Sequence, residues 1–467
     1  MFGQLVSFVV SVILARILLP SEYGTVSVVV IFTTFASVFI TSGLSVSLIQ
    51  KKDADDLDFS TVLYFNLAFA SVLYFILFAA APWISRLYGL SDLTSAIRVM
   101  SVCLIVYAVN SVQQAYVSRQ LLFQRLFWSS LAGTLVSAAV GIWMAVHGYG
   151  IWALIAQKLT DAVIDTLILW FMIEWRPKWL FSVGRMKALY RYGWKLICAA
   201  LLNTASAKLR AFFIGKLYSV EDLAFYEKGN QYPQLAVTDI SSSIGTVLFP
   251  VLSKIQDDPA EIKRLTRRAV RTSSFLMWPA MAVLCVIAEP LVGWMLTDKW
   301  LPCVPYFRIA CFSLAFMPIH ISNLQALKAV GRSDLFLILE VVKTALSITV
   351  LMISLSFGVM GIAIGVAISS LLATFINAFP NRKLIGYSYK EQMQDILSSF
   401  CLAALTGAAV WPMSLIIHTR VPLMLLQALL GFSLYFSCAK LLKLESYGYC
   451  VSIVREFLPG RKKKEAA

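Results

Sequence analysis

A chain of 467 residues that is 59% hydrophobic and 14% charged, with mean hydropathy +0.77, excludes a soluble multidomain protein. The net charge of +15 would point to nucleic acid in a soluble chain, but in an apolar one it must first be read as topology. One membrane span takes about 20 apolar residues, so fourteen use about 280 and leave no room for a large extramembrane domain.

The chain opens on an apolar run with no basic region before it and no small-residue cleavage site, so residues 1–19 read as a retained span rather than a signal peptide. Apolar segments follow at 24–49, 60–84, 96–114, 126–147 and 151–173. A second set covers 192–215, 231–252, 272–296, 304–327, 334–356 and 359–379, and a last pair 396–417 and 421–443. Continuous runs of this length predict helices, whereas the strands of a membrane barrel alternate over about 10 residues. The expected fold is an all-α integral membrane protein with fourteen transmembrane helices.

Lys and Arg are divided unevenly between alternate connectors. Twenty-eight fall on one side, among them Lys51 and the runs 176–195, 254–271 and 440–464. Six fall on the other: Arg86, Arg98, Lys216, Lys228, Lys299 and Arg420. The positive-inside rule then puts both termini in the cytoplasm. The basic excess becomes a topological signature with anionic membrane lipids as partners, and no nucleic acid is expected. Segment 259–270 starts with Pro259 and places Ile262, Leu265 and Ala269 opposite its basic residues, which predicts a helix lying on the inner leaflet. The end Arg461-Lys-Lys-Lys464 reads as an anchor against anionic headgroups.

Catalytic and cofactor motifs are missing from the sequence. The eight cysteines form no C-x-x-C, and His147, His320 and His418 lie far apart with no ligand at helical spacing, so no metal site is expected. No phosphate-binding glycine loop occurs, which excludes an ATP-driven pump encoded in this chain. A polytopic glycosyltransferase or O-antigen polymerase would need a sizeable extracytoplasmic loop, and no outer connector exceeds about fifteen residues. The acidic run Asp53-Ala-Asp-Asp-Leu-Asp58 falls on the cytoplasmic side and reads as a solvated loop.

A weak internal repeat is present. Gly148-Tyr-Gly-Ile-Trp-Ala-Leu154 and Gly358-Val-Met-Gly-Ile-Ala-Ile364 join the last two spans of each set, with Gly148 and Gly358 at an offset of 210. Arg16, in the stretch closing span one, aligns with Lys216 in the stretch closing span seven. Six spans separate the copies, so they share one orientation and predict two parallel six-helix repeats. The division expected is 1–175 as an N-terminal lobe, 176–191 as a cytoplasmic linker and 192–380 as a C-terminal lobe. Two additional helices (381–443) and a basic tail (444–467) complete it.

Ala15-Arg-Ile-Leu-Leu-Pro-Ser-Glu-Tyr-Gly24, Gly43-Leu-Ser-Val-Ser-Leu-Ile-Gln-Lys-Lys-Asp53 and Phe59-Ser-Thr-Val-Leu-Tyr-Phe-Asn66 carry a family resemblance. With Gly148–Leu154 they resemble the polysaccharide (Wzx-type) flippases of the multidrug/oligosaccharidyl-lipid/polysaccharide exporter superfamily, in particular colanic-acid and lipopolysaccharide exporters. The resemblance covers spans one to twelve. It implies two lobes around a cavity and movement of an undecaprenyl-diphosphate-linked oligosaccharide between leaflets of the bacterial inner membrane. It also implies a non-enzymatic protein with polysaccharide polymerase machinery as a partner. In span seven Arg210 precedes Ile214-Gly215, where relatives often carry an acidic residue. A multidrug exporter of the same superfamily is the alternative, distinguished by an apolar rather than cationic cavity.

Charges inside spans are costly and mark cavities, relays or pairs. Arg16, Lys208, Arg210, Arg308 and Lys343 are the candidate contacts for an anionic diphosphate. Asp161, Asp165, Asp239 and Glu340 are the candidates for H+ or Na+ coupling, with no other cofactor expected. Lys158 with Asp161, and Glu340 with Lys343, are three residues apart and can neutralise one another on one helix face. Span eight carries Thr238-Asp-Ile-Ser-Ser-Ser243, so it should face protein or water, with Lys208 at a depth to pair with Asp239. Arg210 is then the first choice for the diphosphate and Arg16 the second, because a guanidinium fork binds phosphate oxygens at two points.

Overall fold

In hydrocarbon each backbone N–H and C=O must be satisfied within the chain, so apolar runs of this length fold as helices. A computed structural model describes residues 2–51 and 53–457, without the side chains of Phe2, Tyr192, Asp239, Ile240, Ser243, Ser333 and residues 453–457. Among these residues every regular element is helical. The predicted anchor at Arg461–Lys464 lies outside them. By its internal contacts the chain divides into two units, Met1–Ala224 and Phe225–Ala467.

The first unit holds α1 (Phe2–Ile17), α2 (Pro20–Thr41), α3 (Leu44–Gln50), α4 (Asp56–Tyr88) and α5 (Leu93–Met100). It continues with α6 (Cys103–Arg119), α7 (Phe123–Val146), α8 (Ile151–Met172), α9 (Val183–Leu217) and the first residues of α10 (Val220–Ser253). Helix starts follow local chemistry. Glu22 folds back to accept from the Leu19 N–H at 2.7 Å behind Pro20. Asp55 and Asp58 cap α4 reciprocally, at 3.0 and 3.2 Å. The turn into α8 uses Gly148 at φ +79°, and Gly358, its repeat counterpart, has φ +75°. Both are left-handed positions that a side chain rarely tolerates, so turn chemistry requires glycine at each.

The second unit holds the rest of α10, α11 (Pro259–Met295), α12 (Val304–Leu314), α13 (Met317–Ala329), α14 (Ser333–Ser354) and α15 (Gly358–Leu384). α16 (Tyr389–Val410), α17 (Arg420–Leu441) and α18 (Glu445–Phe457) follow. α11 is its axis, packed by α12, α13, α16 and α17. Trp278 of α11 meets the rings of Phe312, Phe316 and Phe400, and the Tyr435 hydroxyl donates to the Phe275 carbonyl at 3.0 Å.

Ten helical stretches among the described residues are long and apolar enough to cross a membrane. α14 and α15 form one of the ten because only the short turn 355–357 separates them. Three predicted segments fall outside the ten: α1, with 16 residues, α8, which carries Lys158, Asp161 and Asp165, and α10. Three others are interrupted rather than continuous. The run 24–49 breaks at Ser42-Gly43, 96–114 at Ser101-Val102, and 304–327 at Ala315-Phe316, where Pro318 cannot donate back to Leu314.

Several expectations are corrected. Residues 259–270 are no separate surface helix: they form the first third of the 37-residue α11, capped by Asp258 and buried along Ile262, Thr266 and Val270. The acidic run is solvated at Asp53, Asp55 and Asp56, but Asp58, in the first turn of α4, is fully buried. Lys228 is no connector residue, because α10 starts at Val220 and buries it near the rings of Tyr232 and Trp300. α9 packs along α2, α3 and α4 within the first unit. All eight cysteines are free thiols.

Candidate functional site

Within the first unit, α2, α3, α5, α6 and α8 enclose a cavity of about 530 Å³. Thr33, Ser37 and Thr41 recur every four residues along α2, and the Thr33 and Thr41 hydroxyls bond back to carbonyls four residues earlier, at 3.0 Å each. Their polar atoms therefore share one face without unsatisfied donors. α6 contributes Asn110 and Gln114, and α8 contributes Lys158, Asp161 and Asp165 at successive turns.

These groups form a connected set. Gln114 donates to the Asn110 carbonyl oxygen at 2.7 Å, and Asn110 donates to Asp165 at 2.9 Å. Asp161 accepts from Ser137 of α7 at 3.5 Å. Two carboxylates one turn apart, held by neutral donors in a polar cavity, can take up a proton or a monovalent cation between them. The cavity carries one ammonium against two carboxylates, which is the wrong sign for a diphosphate.

The other predicted residues lie elsewhere. Arg16 is exposed in the last turn of α1, and Lys208 and Arg210 are half-buried on α9. Arg308 pairs with Glu289 at 3.6 Å and donates to the Cys285 carbonyl at 3.3 Å. Lys343 pairs with Glu340 at 2.7 Å, as their spacing predicted. Asp239 belongs to α10, and its side chain lies outside the described residues. Among the described residues no cluster of three or more His, Cys, Asp or Glu could hold a metal ion.

Sequence reasoning missed Asn110, Gln114 and Tyr107, because neutral polar residues in apolar runs give no charge signal. The Thr33, Ser37, Thr41 spacing was the available clue. It also missed two buried carboxylates, one near the start of α4 and one near the start of α16. Asp58 pairs with Lys51 at 2.5 Å and Arg185 at 3.3 Å. Asp395 takes Arg267 at 2.7 Å, Arg271 at 2.6 Å and the Tyr387 hydroxyl at 2.9 Å. Burial, reinforced by the Asp395 charge, pushes the Tyr387 phenol well above the usual tyrosine range.

A profile for polysaccharide biosynthesis proteins matches residues 13–305. Among curated relatives, a succinoglycan biosynthesis transport protein, ExoT, of Rhizobium meliloti is 24% identical over 70% of this chain and 66% of its own length. The lipopolysaccharide biosynthesis protein WzxC of Escherichia coli is 22% identical over 88% and 84%. Among solved structures, the lipid II flippase MurJ in an inward closed conformation superposes with TM-score 0.74 at 15% identity, over 94% of this chain and 98% of its own. An inward-facing multidrug resistance MATE transporter gives TM-score 0.60 at 14% identity, over 82% and 94%. The apolar helices and the profile match over more than half its length identify a multi-pass membrane protein that belongs to the polysaccharide biosynthesis protein family.

Proposed function

We propose that this protein is an ion-coupled flippase that moves an undecaprenyl-diphosphate-linked oligosaccharide from the inner to the outer leaflet of the bacterial inner membrane. The family match over residues 13–305 carries the reading, and the likeness in fold to a lipid II flippase supports it. In this reading the chain crosses fourteen times, as two parallel six-helix repeats and two C-terminal helices, with both termini cytoplasmic. Asp161 and Asp165, supported by Asn110 and Gln114, take up the coupling H+ or Na+. Arg210 and Arg16 meet the diphosphate, because a guanidinium fork binds phosphate oxygens at two points. Anionic lipids meet the basic groove of about 440 Å³ where Arg264 and Arg268 of α11 face Tyr449 of α18, and a polysaccharide polymerase takes the product.

Vesicles reconstituted with the full chain and a fluorescent lipid-linked oligosaccharide test this. A proton or sodium gradient should drive exposure of the lipid to an external quencher. Asp161→Asn with Asp165→Asn should lower the gradient-driven rate at least tenfold without loss of folded protein. Full gradient drive in that double variant rejects the coupling assignment, and no flipping by the wild type rejects the function. The net negative charge of the cavity favours a second reading, efflux of organic cations, as the MATE-like fold would allow. Uptake of a fluorescent organic cation in place of lipid flipping would establish it.

A further inference from the structure

His320 sits at the fourth position of α13, just past the break with α12, and about 14 Å from the cytoplasmic-side end of the helix at 1.5 Å per residue. Two residues of α15 hold its ring. Ser370 Oγ lies 3.4 Å from Nε2, and the Asn377 side-chain nitrogen lies 3.1 Å from Nδ1.

The direction of each hydrogen bond can be worked out from what each atom has to give. Ser370 has one hydroxyl hydrogen and donates it to the Ser313 carbonyl at 2.9 Å, so its oxygen must accept from His320 Nε2–H. Asn377 turns its NH2 group to the ring, so Nδ1 accepts and carries no hydrogen. The ring is thereby fixed as the neutral Nε2–H tautomer. The Asn377 carbonyl oxygen is left buried with no hydrogen-bond partner, on a residue 1% exposed. A buried acceptor without a donor is costly and calls for an explanation.

We propose that His320, Asn377 and Ser370 form a proton-binding site inside the second unit, in which rotation of the Asn377 amide holds the protonated ring. A hydronium ion gives its proton to the Nδ1 lone pair, water is released, and the ring goes from neutral to +1. The amide turns half a revolution about its last side-chain bond, so that the orphaned oxygen accepts from the new Nδ1–H. Nε2–H keeps its bond to Ser370 throughout. The amide leaves one polar group unpaired in either orientation, its oxygen before and its nitrogen after, so the rotation changes no hydrogen-bond count, while the new bond is charge-assisted.

Other ionisable groups surround this imidazole on the neighbouring helices, and α10, whose Gly245 faces Ile321 and Gln325 of α13, carries Asp239, whose side chain lies outside the described residues. On α11 the charged residues are Glu289, paired with Arg308 of α12, and toward its start Glu261, paired with Arg264, and the basic residues Lys263 to Arg271. α13 carries Lys328 in its last turn and α15 carries Arg382 and Lys383 in its own. α14 carries Asp334, bound by Arg332, and the Glu340–Lys343 pair. The second unit would then sense protons independently of Asp161 and Asp165. Use of that proton to drive transport rests on the flippase reading, but the site itself does not.

The chain has three histidines, so His147→Gln with His418→Gln leaves one imidazole. Nitrogen-15 histidine spectra of that variant, full-length in lipid nanodiscs and titrated from pH 8 to pH 4, should show the Nε2–H tautomer converting to imidazolium in one step. Asn377→Leu, which keeps the volume and removes the acceptor, should lower the midpoint by at least one pH unit. Asn377→Asp should raise it by at least as much, and carries the test if the leucine variant fails to fold. A ring that keeps one neutral tautomer over the whole range, or a midpoint indifferent to both substitutions, overturns the site. If the spectra behave as expected and His320→Gln leaves the pH profile of lipid flipping unchanged, the site stands and its coupling to transport is rejected.

Discussion

Asp58 shows how a carboxylate becomes affordable in this chain. It is fully buried, yet it accepts from the Asp55 N–H, from Lys51 and from Arg185, so its charge is balanced on two sides. Asp58→Ala removes the ion pairs and half of the α4 cap together. The freed cations, at 29 and 40% side-chain exposure, can still reach water, so the expected loss is about 2 kcal/mol rather than the larger cost of stranding a fully buried charge. Asp53→Ala, at an exposed position, should change the unfolding midpoint little. Equal midpoints for the two variants would remove Asp58 from the stabilising set. Asp55 adds a pH dependence. Its carboxyl is held below the ordinary 3.8, first by the Asp58 backbone N–H and then by Arg185 and Lys51. A depressed folded value means that this stabilisation is present above about pH 3.8 and is lost as pH falls through the folded value. Hydrogen exchange at residues 56–59 should therefore accelerate in acid before the rest of α4 does.

At the level of elements, the tightest restraint in the first unit is the approach of α2 to the start of α10. A Cβ on Gly24 would lie 1.7 Å from the Val220 carbonyl oxygen, and neither backbone can yield without shifting its helix. Gly24→Ala should cost about 3 kcal/mol, the upper end for overpacking. Gly89→Ala meets no atom within 4 Å but must adopt φ +69°, so it should cost about 1 kcal/mol. Thermal unfolding in nanodiscs ranks the two, and a Gly24 variant as stable as the wild type would contradict the close approach. Much at this level was legible in sequence: the apolar runs, the proline start of α11, and the paired glycines 148 and 358. The breaks at Ser42-Gly43 and Ser101-Val102 were not, because each depends on packing around residues that a helix also tolerates. Lys228 was misplaced for a related reason: a cation near a turn looks like a loop residue until neighbouring rings bury it. The carboxylates Asp161 and Asp165 stood out by charge, whereas the amides that hold Asp165 and His320 did not, since hydrogen-bond partners from other helices leave no periodic trace.

For the whole molecule, the basic excess does two things at once. Arg119 donates to the Leu48 carbonyl at 3.1 Å, Arg125 to that of Met172 at 2.5 Å, and Arg176 to that of Ile173 at 2.6 Å. These cations close the carbonyl ends of α3 and α8, where the helix dipole favours positive charge. They also belong to the twenty-eight that the positive-inside rule assigns to the cytoplasm, so in the proposed topology the groups that finish the helices also set the sidedness. Cysteine labelling in a background lacking the eight native thiols reads the result. Ser91→Cys, in the exposed turn between α4 and α5, should react with an impermeant maleimide on intact cells. Asp257→Cys, in the exposed turn before α11, should react only after the membrane is opened. In the fourteen-span reading the two connectors fall on opposite sides, so orientation fails as a unit: Asp257→Cys labelled from outside would invert every connector and with them the proposed direction of transport.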